Sequence, residues 1–275
     1  MRFTLLAATA LGTTLAGLVT GTSPVLAAPP TPFDWSGFYL GANVGVVHQT
    51  ARGVATYPDG SVGPNYTFTG NNLYADGFLE DSGLPTLFNL DGNGASVGVD
   101  AGYNFTAGTF VYGVEGDFRL LNQRASSTQV STGGLTTVTF DSTITSLATI
   151  RARAGVSADR LLLFSTAGLA VGQSSLSTSF NYVDTGKGAS LGGSGSGLGV
   201  GYVLGGGAEY AISDRVSLKG EALYYNLGRM SVTANDNGST HSIGGGSSAP
   251  ATVTPYTASI DRGGVLISAG LNFKF

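Results

Sequence analysis

Apolar residues alternate with small or polar ones in eight separate segments of this chain, and a period of two predicts strands with one apolar face. In residues 38–47, Phe38, Leu40, Ala42, Val44 and Val46 share one face, with Gly41, Asn43 and Gly45 on the other. Residues 95–105 set Val97, Val99, Ala101, Tyr103 and Phe105 against Gly98, Asp100, Gly102 and Asn104. Residues 110–120 set Tyr112, Val114, Gly116, Phe118 and Leu120 against Gly113, Glu115, Asp117 and Arg119. A fourth segment, 143–156, is clear in its second half (Ile150, Ala152, Ala154, Val156 against Arg151, Arg153, Gly155) and weak in its first, where Leu147 takes the polar phase. The fifth, 161–172, opens on an unphased run, Leu161 to Phe164; Leu163, Ala167, Leu169 and Val171 are its preferred apolar face. Segments 198–210 and 216–225 follow, with Glu209, Lys219 and Glu221 on their polar faces. The cleanest is 265–275, with Val265, Ile267, Ala269, Leu271, Phe273 and Phe275 against Ser268, Gly270, Asn272 and Lys274.

Connections 106–109, 157–160 and 211–215 are short. The other four, about 48–94, 121–142, 173–197 and 226–262, are long, rich in Gly, Ser, Thr and Asn, and read as loops. Charged residues make up only 11% of the chain, against about 25% in a soluble domain. Past residue 30 no apolar run approaches the ~18 residues of a membrane helix. A closed barrel is the remaining way to satisfy the backbone in lipid. The expectation is an all-β protein: an eight-stranded antiparallel transmembrane up-and-down β-barrel with strands of about 9–11 residues, short periplasmic turns and long extracellular loops. An even strand count puts both termini on the periplasmic side. Aromatics near the short turns (Trp35, Phe38, Tyr39, Tyr103, Phe105, Phe110, Tyr112, Tyr210, Phe273, Phe275) read as one interface girdle, with Phe118, Tyr224 and Tyr225 near the other.

Met1-Arg2, the apolar run to Val19 and Val25-Leu26-Ala27 read as a secretory signal over 1–27, cleaved near Ala27, and imply export to the outer membrane of a Gram-negative cell. Residues 28–34 read as a disordered lead-in and 35–275 as the barrel. Cysteine is absent, which excludes disulfides, thiolate metal sites and cysteine nucleophiles. With a net charge of −4 and no basic stripe, nucleic acid is not an expected partner.

The alternation turns ten charges toward the lumen: Asp100, Glu115, Asp117, Arg119, Arg151, Arg153, Glu209, Lys219, Glu221 and Lys274. Charges taken from bulk water must pair, so a salt-bridge network plugging the lumen is expected, with Arg151 and Arg153 facing Glu115, Asp117 or Glu221. An ion pathway is the competing reading. His48 and His241 could meet to hold haem or a metal, and Asp59, Asp76, Glu80, Asp81 and Asp91 could attract calcium. Neither set has regular ligand spacing, so no metal or cofactor is expected. His241-Ser242 alone does not make a hydrolase, and no catalytic residue is assigned.

Several pieces resemble the small outer-membrane β-barrel proteins of the immunogenic, porin-family surface-antigen type, eight-stranded like OmpA and OmpX. Trp35-Ser36-Gly37-Phe38-Tyr39-Leu40-Gly41 is similar to that family's first strand. Gly113-Val114-Glu115-Gly116-Asp117 resembles its third, Arg151-Ala152-Arg153-Ala154-Gly155 its fourth, and Gly205 to Tyr210 and Leu218 to Tyr225 its sixth and seventh. Gly270-Leu271-Asn272-Phe273-Lys274-Phe275 is similar to the closing strand, whose terminal Phe the barrel-assembly machinery reads; here that is Phe275. The resemblance implies a structural, non-enzymatic protein of the envelope, with outer-membrane lipid and lipopolysaccharide around it and loops open to host or surface ligands. It also implies, in some members, weak pore or haem-binding activity.

Overall fold

The computed structural model describes residues 33–56, 66–68, 87–131, 134–184, 187–238, 240–244, 247–253 and 255–275. Eight long strands follow one another: β1 (Gly37–Thr56), β2 (Leu87–Ala107), β3 (Phe110–Val130), β4 (Thr136–Ala158), β5 (Leu161–Asp184), β6 (Lys187–Ala211), β7 (Val216–Asp236) and β8 (Tyr256–Lys274). Each pairs antiparallel with its neighbours in sequence. β1 also pairs with β8, from Tyr39 opposite Lys274 to Thr56 opposite Thr257. That last pairing closes the eight long strands into a ring, an up-and-down barrel. Three short strands, 66–68, 240–244 and 247–253, form a ribbon that joins β6 at Lys187 and Gly188.

Outward positions carry the apolar face named above. Leu40, Val44, Val46, Val97, Val99, Val114, Ile150, Leu163, Leu169, Ile267 and Leu271 are 45–64% exposed, which in lipid is a fitted surface. The band runs from Phe38 to Val46 on β1 and from Val265 to Phe275 on β8, the length of a tilted membrane strand.

The strands are 19 to 25 residues long, about twice the expected length, and this corrects the reading of 121–142 and 173–197 as loops. The physical reason is an inversion of the face pattern. Beyond the lipid-facing band the same strands turn apolar residues inward (Ala125, Val138, Phe140, Leu176, Phe180, Val232, Ile260) and Ser, Thr and Asn outward. The wall changes from a membrane barrel to a water-facing one within continuous strands, with register shifts near the changeover in four of the strand pairs. Its upper interior is a single apolar cluster in which Phe88 stacks on Phe140 with ring centroids 3.6 Å apart.

Two bulges shift the phase. Ile144 faces Ser174 and Ser146 faces Gln173, leaving Thr145 as an extra residue in β4. The bulge reverses which side each following residue faces, so Leu147 is fully buried in the lumen. In β7, Asn226 faces Gly263 and Arg229 faces Asp261, so Leu227 and Gly228 together oppose Arg262. Gly228 has φ 75°, a conformation in which a Cβ would be strained.

The periplasmic mouth is capped. Trp35, Val111, Leu162, Phe164 and Ala211 pack together, with Phe33 against them. The indole N–H of Trp35 donates to the Asp159 carbonyl at 3.0 Å, and the Phe33 N–H donates to the Asp159 carboxylate at 3.2 Å. Phe33 and Asp34 are therefore held against the barrel; residues 28–32 of the expected lead-in lie outside the described residues. Trp35 and Tyr39, read as girdle aromatics, point into the lumen and are 4% exposed; Tyr225 is likewise inward. The unphased run is explained by the same cap: Leu161 and Leu163 meet lipid while Leu162 and Phe164 fill the lumen floor.

Candidate functional site

Above the cap, inward positions of β2, β3, β4, β6 and β7 place nine charges in one belt: Asp100, Glu115, Asp117, Arg119, Arg151, Arg153, Glu209, Lys219 and Glu221. Their paired side chains are at most 4% exposed. Arg151 is the hub. Its guanidinium reaches Glu221 at 2.8 Å and Asp117 at 2.9 Å and also pairs with Glu115. Lys219 bridges Asp100 at 2.9 Å and Glu115 at 3.0 Å. Arg119 reaches Glu221 at 3.1 Å. Arg153 pairs chiefly with Glu209, a carboxylate the sequence reading did not join to it, and stacks on Phe164 with its guanidinium carbon 3.8 Å from the ring centroid.

Neutral groups complete the belt. The Tyr39 hydroxyl donates to Glu115 at 2.5 Å and accepts from Arg153 at 3.2 Å. Asn43 donates to Asp100, Thr149 to Asp117, and Ser217 and Asn272 to Glu209, at 2.5–3.0 Å. Five carboxylates meet four cations. Asp117, Arg119, Arg151 and Arg153 each retain a buried side-chain atom with no hydrogen-bond partner among the described residues. In a polar cavity such atoms are the usual partners of ordered water.

Lys274, the tenth expected lumen charge, stands apart from the belt at the periplasmic mouth. It lies one residue from the end of the chain, where the wall has run out, and is 22% exposed. Its ammonium bonds the Asp34 carbonyl, lies 3.6 Å from the Asp34 carboxylate and sits over the Phe33 ring. The Ser36 hydroxyl and N–H, at 2.7 and 2.9 Å, hold the Asp34 carboxyl below its ordinary 3.8, with Lys274 adding to the effect.

Above the belt, Tyr225 donates to Gln123 and Gln123 to Gln49, each at 2.8 Å. A further buried cation, Arg262, was missed because 226–262 read as a loop. It fills the β7 bulge, donating to the carbonyls of Leu227 at 2.8 Å, Gly228 at 3.2 Å and Arg229 at 3.3 Å, and to Ser174 at 3.0 Å. Burial pulls its pKa down. Arg262→Leu should leave those carbonyls without a donor and destabilise the barrel by ~1–3 kcal/mol. A urea midpoint unchanged from the parent would show that the bulge does not depend on Arg262.

The other candidates do not converge. His48 faces outward on β1, its Nδ1 2.7 Å from the Asn93 side-chain oxygen. His241 lies on the short ribbon opposite Lys187 and Ala249, and its side chain is outside the described residues. Asp59, Asp76, Glu80 and Asp81 are also outside them, and Asp91 lies on β2. Among the described residues no group of three or more His, Asp or Glu is placed to hold a metal ion. Phe275 ends the chain on the periplasmic rim. Its N–H donates to the Phe38 carbonyl at 3.1 Å, and its ring lies 5.6 Å from that of Phe38 and 5.1 Å from that of Phe273.

The model of the outer membrane protein beta-barrel domain family matches residues 13–249. The chain belongs to that family. Its site is the outer membrane, and its apolar band is the lipid-facing wall. A relative in Brucella melitensis, the 31 kDa outer-membrane immunogenic protein, is 31% identical over 224 residues, 80% of this chain and 82% of the relative. Among solved structures, Neisserial surface protein A is similar with a TM-score of 0.33 and 15% identity, covering 87% of this chain and 98% of its own. The outer membrane protease OmpT of Escherichia coli is similar with a TM-score of 0.43 and 9% identity, covering 86% and 97%.

Proposed function

We infer that this family member is a non-enzymatic structural barrel: it contributes to envelope integrity, keeps its lumen shut, and presents its extracellular end as a contact and antigenic surface. The observation that carries this reading is the layering of the interior. The Trp35 cap, the ionic belt, the Gln49–Gln123–Tyr225 chain and two apolar clusters follow one another along the lumen. An eight-stranded barrel is only wide enough for its own side chains, and here a solute would have to break an ionic layer and two apolar ones. The belt's acids and bases are engaged with one another and shielded from solvent, which favours a structural role over acid–base chemistry. The relative that shares its sequence over most of its length is an outer-membrane immunogenic protein, which supports surface exposure of the loops. On this reading the barrel-assembly machinery recognises Phe275, and the surrounding partners are membrane lipid and lipopolysaccharide.

Purified protein in a planar lipid bilayer tests the closed lumen. No conductance above the lipid leak is expected at either polarity. Steady, open steps would overturn the reading and return the belt to the role of an ion pathway.

A further inference from the structure

On the outer wall, where the apolar band gives way to polar residues, a groove of about 240 Å³ runs across β1, β8 and β7. Its lower lip is Val265 and Tyr224, the last lipid-facing apolar residues of their strands on this side. Its upper end carries Arg52 and Asp261. Its floor is bare at Gly263: a Cβ placed there would lie 3.1 Å from the Tyr225 carbonyl oxygen, 3.6 Å from the Asn226 amide nitrogen and 3.8 Å from the Tyr224 hydroxyl. An amide N–H and a phenol therefore overhang one strip of naked backbone.

The charges around this strip are unequally engaged. The Asp261 carboxylate accepts from Arg229 at 3.1 Å. The Asn226 side-chain oxygen accepts from the Gly228 N–H at 2.8 Å, which leaves its amide nitrogen as the end facing the groove. Arg52 is exposed, and no ion pair joins it to a carboxylate among the described residues. The groove thus offers a guanidinium, an amide and a hydroxyl, beside the His48 ring and the Asp261 carboxylate that Arg229 engages, over an apolar wall. Guanidinium and neutral N–H or O–H donors together match phosphate oxygens. The apolar lip continues down the wall through Val46 and Ile267.

We propose that this groove seats the phosphate of a phosphorylated amphiphile of the outer leaflet, with its acyl chains lying on Val265, Val46 and Ile267. The site rests on the position of the lipid boundary and not on closure of the lumen, so it can fail while the barrel remains non-conducting, and the reverse.

The test uses full-length protein folded in neutral maltoside micelles, with fold checked by heat-modifiable electrophoretic mobility. Phosphatidic acid, a phosphate monoester on acyl chains, is titrated in and retention is read by native mass spectrometry. One tightly retained phosphatidic acid per barrel is expected, not displaced by an equal amount of phosphatidylcholine. Arg52→Gln should weaken retention at least tenfold, as should Gly263→Leu, which fills the floor. Arg124→Gln removes an exposed outward arginine two strands from the groove, in the row of Asn93 and His48, and should change retention less than twofold. If Gly263→Leu does not fold, the exposed Arg52 carries the comparison alone. Equal losses in the Arg52 and Arg124 variants would mean diffuse attraction and overturn the site. So would retention unchanged in Arg52→Gln, or displacement by inorganic phosphate at matched concentration, which would mark a site for soluble anions.

Discussion

Arg151→Ala is expected to destabilise the folded barrel by ~3–5 kcal/mol, the cost of leaving buried charge without its partner. Three carboxylates lose their shared cation at once, since Glu115, Asp117 and Glu221 all meet at Arg151. Arg119 and Lys219 retain contacts to Glu221 and Glu115 but do not replace the guanidinium at the centre. The proper comparison is Arg160→Ala. Arg160 pairs with Asp214 at 3.4 Å on the periplasmic surface, with the two side chains 40% and 92% exposed. Exposed pairs of that kind contribute ~0–1 kcal/mol. Urea unfolding in phospholipid vesicles, followed by tryptophan emission from Trp35, separates the two. Equal midpoints for the variants would mean that water reaches the belt and screens it.

Val99→Arg should cost ~2–4 kcal/mol, because a cation on the lipid face near mid-bilayer is driven into hydrocarbon. Ser179→Arg, also outward and exposed but beyond the boundary, should shift stability by less than ~0.5 kcal/mol, as ordinary surface changes do. Val99 is 61% exposed, and exposure alone would rank both positions as tolerant. The expected difference comes entirely from the solvent each faces. Equal effects at the two positions, measured as unfolding midpoints in the same vesicles, would remove a lipid boundary on β5 where outward Val171 gives way to outward Gln173.

How far the sequence showed this depended on which face of the wall carried the apolar residues. Where lipid lies outside, the alternation was plain, and it picked out Glu115, Asp117, Arg119, Arg151, Arg153 and the rest of the belt from phase alone. Above the boundary the same period of two persists with its sense reversed. Thr139-Phe140-Asp141-Ser142-Thr143-Ile144 is a strand with Phe140 and Ile144 inside, yet its composition resembles a loop. The bulges at Thr145 and Gly228 were illegible for another reason: one extra residue changes register without leaving a distinctive residue type in β4. Trp35 and Tyr39 were misplaced because aromatic residues at a strand end suit either a girdle or a lumen cap. What separates those two roles is parity: Phe38 and Leu40 face lipid, so Tyr39 between them faces in. The partner choice of Arg153 depended on strand stagger, which places Glu209 of β6 across the lumen from β4.

The reversal of the wall's two faces also sets the reach of the protein. β5 continues from Gln173 to Asp184 past the lipid boundary. At ~3.3 Å per residue and a tilt of about 40°, that stretch lifts its tip roughly 30 Å above the hydrocarbon. A stiff, water-adapted cylinder carries the hairpin ends that far from the bilayer. Large molecules approaching the cell would then meet a raised rim before the membrane, and short saccharide chains rooted in the outer leaflet would stand beside the cylinder without covering it.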